Sequence, residues 1–217
     1  MLLPTEAILL QLLTIIEGFK MTLLHITTPS KTGKLNGIQS INTSVLNNEF
    51  CSRMRESDSV CNKCYASRME KRYSNLHKAI EKNDTVLSNG IIPTQYLPTF
   101  NNLAIRFHSL GELINTTHLH NFLNIAEKNP RVIFTLWSKR KDIINKVFSK
   151  RIKPSNFILI YSTALMNKIS KLPKYFNKVF SVHSKGSQAN INCHGACITC
   201  MKCYSHNETV FINEVLK

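Results

Sequence analysis

Acidic residues are scarce in this chain: Asp and Glu number 13 among 217 residues, against 28 Lys and Arg. That shortage excludes an acidic, solvating tail protein. Glycine numbers only 7 and no heptad persists, which excludes collagen-like and coiled-coil classes. No apolar run reaches the ~20 residues that span a bilayer, so no membrane partner is expected. There is no low-complexity tract, no internal repeat, no P-loop and no GxGxxG. With 43% hydrophobic residues the chain can still bury the core of one ordinary α/β domain.

The formal net charge is +15. Such a field favours polyanions, which makes nucleic acid or a nucleotide the expected partner class. Lysine supplies 20 of the 28 basic residues, and no arginine-rich or aromatic-interleaved stripe sharpens the signal. A compositional origin in an AT-rich genome accounts for the excess equally well.

Residues 1–20 are apolar but are interrupted by Glu6 and Glu17, with no basic region before them and no small-residue cleavage site after. They read as an N-terminal extension: either an amphipathic helix or sequence upstream of a native start at Met21, the latter favoured. Residues 21–217 then form a single α/β metal-binding domain. With no export signal, a reducing, cytoplasmic setting is expected, where the seven cysteines do not serve as disulfides.

From residue 103 onward, short apolar runs alternate with helical patterns. Leu103–Phe107, Val132–Leu136, Phe157–Tyr161 and Lys178–Val182 read as strands. Thr117–Lys128, Lys139–Ser149 and Ala164–Leu172 read as the helices between them. This alternation predicts a parallel β-sheet or partial (β/α) barrel. Upstream, Tyr65–Lys82 reads as one helix with Ala66, Met69, Tyr73, Leu76 and Ile80 on its buried face; residues 83–102 read as a linker. Leu119, Phe122, Leu123 and Ala126 form a core stripe rather than a cofactor box, and Trp137 is core or pocket wall.

The cysteines carry the chemistry. One group is Cys51-x9-Cys61-x2-Cys64; the other is Cys193-x3-Cys197-x2-Cys200-x2-Cys203. A C-x2-C step lets two thiolates face one metal, and repeating the step wraps the chain round a larger, multi-iron object. Zinc ligands more often split into separated pairs, so a 4Fe-4S cluster is favoured and zinc is the alternative. His194 and His206 stand near the second group as spare ligands. Three cysteines in the first group leave one coordination position open for a substrate or cofactor. In an α/β unit the strand ends share one face with the amino end of the preceding helix, where the dipole favours thiolates. All seven cysteines can therefore converge beside the carboxyl ends of the strands, and a four-plus-three split and a single mixed site both stay open.

Those strand ends are polar. His108 and His183 are candidate acid/base groups because histidine titrates near neutrality. Glu112 is a candidate base, amine ligand or helix cap. Ser109, Ser162 and Lys185 are candidate cofactor contacts.

The run Cys61-Asn62-Lys63-Cys64-Tyr65-Ala66, the later RFHSLGE at 106–112 and the terminal cysteine run together resemble the phage "gene product 88" domain proteins, over residues 31–206. The resemblance implies a bacteriophage source and an iron–sulfur site. Leu110-Gly111-Glu112 stands where Ser-Gly-Asp is usual in that family. A fainter likeness is to radical S-adenosylmethionine enzymes, whose order of cysteine motif, helix, strand and Gly-Glu turn is echoed here; it implies S-adenosylmethionine as a cofactor. The x9 gap after Cys51 departs from their spacing. Two functions follow as expectations. One is an iron–sulfur enzyme acting on a nucleotide or nucleic-acid-related substrate, by Lewis-acid hydrolysis or desulfuration or by radical chemistry. The other is a non-catalytic protein, stabilised by zinc or a cluster, that binds nucleic acid or a host protein.

Overall fold

The computed structural model of the chain describes residues 23–216. Residues 1–20, with the expected helix or upstream segment, lie outside them. The strands are β1 (Ile26–Thr27), β2 (Gln39–Ile41), β3 (Ala104–Phe107), β4 (Ile133–Ser138), β5 (Phe157–Ser162), β6 (Lys178–His183) and β7 (Phe211–Val215). The helices are α1 (Glu49–Glu56), α2 (Tyr65–Arg72), α3 (Ser74–Ser88), α4 (Thr116–Lys128), α5 (Lys141–Phe148) and the single turn α6 (Cys197–Cys200).

The strands form one seven-stranded sheet in sequence order, β1 to β7. Only β1 is antiparallel to its neighbour; β2 to β7 run parallel. Parallel strands taken in chain order are the arrangement of a (β/α) barrel opened out flat, and they put every strand's carboxyl end on one rim.

Alternation along the strands divides the core in two. Ile105, Phe107, Phe134, Leu136, Phe157 and Leu159 face α3, α4 and α5 and make the main core. Phe107 stacks on Phe122 of α4 at 3.9 Å and on Phe134 at 5.2 Å. The expected stripe Leu119, Phe122, Leu123 and Ala126 is buried here. The opposite face carries Ala104, Trp137, Ile158 and Ile160. It is covered not by a helix but by Ile38 and by Tyr204 and its cysteine-bearing segment.

Several elements differ from the sequence pattern. The helix expected over 65–82 breaks at Tyr73, which ends α2 and begins α3. The break lets His77 Nδ1 reach Glu70 Oε1 at 2.7 Å, a pair that a continuous helix would set roughly 10 Å apart along its axis. Glu70 is buried and also accepts from the Ser44 hydroxyl and from Val45 N at 2.9 Å. Burial of this polar hub, rather than of Tyr73, sets the helix orientation. The first six residues of the expected linker complete α3, with Asn83 and Leu87 buried. Residues 164–172 form no helix: Asn167 takes φ +60°, and its side-chain oxygen accepts from Ser184 N at 2.8 Å.

Candidate functional site

The first cysteine group is built by three short elements over the carboxyl ends of β3 and β4. Asn48 caps α1 by accepting from Phe50 N and Cys51 N at 3.0 and 3.3 Å, which fixes Cys51 in the first turn. Ser59 caps a 3-10 turn over Val60–Lys63 that carries Cys61. Cys64 closes that turn, its N donating to Cys61 O at 3.0 Å, and opens α2. Val45, Ala66 and Leu110 pack around Cys51 and Cys64.

Cys51, Cys61 and Cys64 line one cavity of about 140 Å³ together with Ser109, Glu112 and Lys139. Burial pushes the Cys51 thiol up, and Glu112, Cys61 and Cys64 add to it. Burial also raises Cys61, and the Lys139 ammonium opposes it.

Glu112 is buried and its carboxylate accepts three hydrogen bonds. Oε1 accepts from Ser138 Oγ at 2.7 Å and Leu113 N at 2.8 Å, and Oε2 accepts from Lys139 N at 2.8 Å. Burial raises its pKa and these donors oppose the rise. It does not cap α4; Asn115 does, accepting from His118 N at 2.9 Å. The preceding turn is fixed by Asn42, whose Oδ1 accepts from Ser109 N, Ser109 Oγ and Leu110 N at 2.9, 2.8 and 3.0 Å. Gly111, at φ +112°, lets that turn lie against Thr43, whose carbonyl oxygen would stand 2.8 Å from an added Cβ. Ser162 does not face the cavity directly: its hydroxyl accepts from Lys139 Nζ at 2.7 Å.

The histidines stand elsewhere. His108, at φ +63°, turns its ring into the helix-side core, 5.1 Å from His118 and 5.2 Å from Phe122. Burial holds His108 well below the ordinary imidazole range and takes His118 down to about 3. His183 is buried at the end of β6, with Nε2 3.4 Å from Asn213 Oδ1. Neither His108 nor His183 lines the thiol cavity. Lys185 is exposed on the loop after β6.

The second cysteine group does not join the first at the strand ends. After β6 the chain passes the outer edge of β7, where Cys193 N donates to Asn213 O at 3.1 Å. It then turns onto the helix-free face, where Cys197 N donates to Lys34 O at 3.1 Å and Ile198 packs on Gly37. Burial raises Cys197, opposed first by Lys34 and then by Arg106. Cys203 is pushed up to about 12 by burial, opposed first by Arg106. The two cysteine groups therefore lie apart rather than converging: the first lines the cavity at the strand ends, and Cys197 and Cys203 of the second pack with Ile38, Trp137 and Tyr204, because the β6–β7 connection lies across the sheet rather than at its rim. His206 Nε2 is taken up by Ser155 O at 2.8 Å. All seven thiols are free. Among the described residues, no three His, Cys, Asp or Glu side chains close on a single point as one metal ion requires.

Asn42 was not among the residues the sequence marked, and Ser138-Lys139 stood out there only as one of four polar strand ends. Lys139 follows a buried strand directly, which is the position where a parallel sheet exposes its chemistry. No helix of the described residues is long and apolar enough to cross a membrane. No curated protein and no solved structure matches the chain. Residues 20–190 match the family model described as Gene product 88; the match takes in the first cysteine group and the Glu112 turn and ends before Cys193, and the chain belongs to the phage gene product 88 family.

Proposed function

We propose that this is an iron–sulfur enzyme whose catalytic cluster is held by Cys51, Cys61 and Cys64, leaving one iron open beside Glu112 and Lys139. One observation carries the reading: three thiols, a fixed carboxylate and a lysine line one small cavity at the carboxyl rim of a parallel sheet. At about 140 Å³ it is smaller than the ~300–1,000 Å³ of an ordinary organic-ligand pocket. That size and its thiol lining suit a compact inorganic group. When bound, such a cluster supplies a Lewis acid or an electron at its open iron.

The surrounding residues position what reaches that iron. Glu112 holds three donors, and a carboxylate accepts about four. It therefore keeps capacity for one more and attracts an amine. Ser109 offers a hydroxyl fixed by Asn42. Lys139, held by Ser162, brings a positive charge suited to a carboxylate or phosphate. The amino and carboxylate groups of a cofactor such as S-adenosylmethionine meet both requirements, with the rest of that molecule outside the small cavity, and the +15 charge suits a nucleotide or nucleic-acid-related substrate.

The test is anaerobic purification with iron, sulfide and zinc analysis, followed by an S-adenosylmethionine cleavage assay under reduction. The reading expects iron with matching sulfide, lost in part in Cys61→Ala, and cleavage that falls at least tenfold in Glu112→Ala with iron retained. Zinc without sulfide in the wild type would overturn it. Iron with sulfide but no cleavage would redirect the chemistry to hydrolysis or desulfuration at the same iron.

A further inference from the structure

The second cysteine group lies outside the family match, which stops at residue 190, and outside the cavity assigned above. Its backbone is anchored at several points. Cys193 is tied to Asn213 and Cys197 to Lys34. Cys197 and Cys200 begin and end the one-turn α6, a three-residue spacing that puts both on one side. Met201 then takes φ +48°, turning the chain so that Cys203 and Tyr204 come back against the sheet beside Trp137.

What faces these thiols is positive and unpaired. Arg106 lies over Trp137 with its guanidinium carbon 3.8 Å from the ring centroid, and its Nε donates to His108 O at 3.2 Å. Lys178 is 2% exposed. Its ammonium donates to Asn207 Oδ1 and Thr209 O, both at 2.8 Å. Neither cation takes part in any salt bridge of the described residues; Lys34, the third cation near these thiols, is paired with Glu214 at 2.7 Å. A buried cation such as Lys178 is costly without a counter-anion, and Arg106 is half-buried. The Tyr204 hydroxyl is buried close to the Arg106 guanidinium and the Cys197 thiol and has no hydrogen bond of good geometry among the described residues. A poorly satisfied hydroxyl and two cations outside any salt bridge, beside Cys197 and Cys203, describe a place built for an anion that accepts hydrogen bonds.

We propose that Cys193, Cys197, Cys200 and Cys203 hold a second iron–sulfur cluster, closed by four thiolates and separate from the site at Cys51, Cys61 and Cys64. A four-thiolate cluster is anionic, and its sulfurs accept hydrogen bonds. It would balance Arg106 and Lys178 and give the Tyr204 hydroxyl an acceptor. With no open iron it exchanges single electrons with an external reductant and takes no substrate. This site stands whatever fills the first one.

The experiment compares the full chain purified anaerobically as wild type, Cys61→Ala/Cys64→Ala and Cys197→Ala/Cys203→Ala, by iron and sulfide content and by electron paramagnetic resonance after dithionite reduction. Two clusters predict about eight irons and eight sulfides in the wild type and about four of each in either double variant. If Cys61→Ala/Cys64→Ala keeps all the iron and Cys197→Ala/Cys203→Ala loses it, the second site stands and the first reading fails. About four irons in the wild type, retained in Cys197→Ala/Cys203→Ala, would overturn the second site even if that variant folds poorly. So would zinc bound there without sulfide. A further readout is the reduction potential of the cluster that survives in Cys61→Ala/Cys64→Ala. Adding Arg106→Gln should move it to a more negative value with the iron count unchanged; an unmoved potential would refute the role given to Arg106.

Discussion

Mild acid should weaken this protein through the His108–His118 pair. His118 is fully buried, and burial takes it from the ordinary 6.5 to about 3. Its folded pKa lies below its unfolded one, so the stability it contributes is complete above 6.5 and is lost as the pH falls toward 3. Between about pH 7 and about pH 5 the unfolded histidine gains protonation worth about 2 kcal/mol while the folded one gains almost none. For a chain of this size 1 kcal/mol moves the melting temperature by ~2–4 °C. The His118 share of the acid-induced drop is then ~4–8 °C, and His108, held neutral by the same burial, acts in the same direction. The assay is the melting temperature of wild type and His118→Gln at both pH values, read by fluorescence of the single tryptophan. The variant need not match the wild type in absolute stability. Its drop between the two pH values should be smaller by His118's share. An equal drop in both proteins would refute the reasoning, and the buried imidazole would have to be charged or solvated in the folded state.

Three further outcomes follow from the same packing. Gly111→Ala places a Cβ against Thr43 at φ +112° and should cost at least ~2 kcal/mol, measured by denaturant unfolding, and should reduce iron retention because the Glu112 turn must move. Asn42→Ala removes the acceptor for two backbone N–H groups, of Ser109 and Leu110, and should destabilise by ~2–5 kcal/mol; hydrogen exchange at those two amides should rise if the account holds. Phe122→Ala deletes the ring stacked 3.9 Å from Phe107 and should cost ~3–5 kcal/mol with no change in metal content.

The central strands were readable because they are buried on both faces and so appear as continuous apolar runs, Phe157–Tyr161 above all. β2 was not: Gln39-Ser40-Ile41 is mostly polar, and it is a strand because β3 supplies its parallel partner. The helix break at Tyr73 escaped for a related reason. The signal there is a buried Glu70 that bonds to residues 26 positions away in sequence, and periodicity in apolar residues cannot register a buried carboxylate. In the site, Glu112, Ser109 and the first cysteine group were legible from motif and strand position. His108 was misread because its left-handed backbone swings the ring off the rim and into the core, a turn that a strand-end argument does not foresee. The second cysteine group was legible as a compact run but not in place, since nothing in C-x2-C spacing says which side of a sheet the connection crosses.

That crossing also decides how the sheet ends. Asn192 and Cys193 run along the free edge of β7: Asn213 N donates to the Asn192 side chain at 2.9 Å, and Asn213 O accepts from Asn192 N and Cys193 N. An uncovered edge strand is a template for pairing with another chain. The stretch that delivers Cys193 to its site is therefore also the guard on the last strand. On the second-cluster proposal, a chain that fails to order this stretch would lose a cluster ligand and its protection against self-association in one event, which would tie metal occupancy and self-association through a single run of backbone.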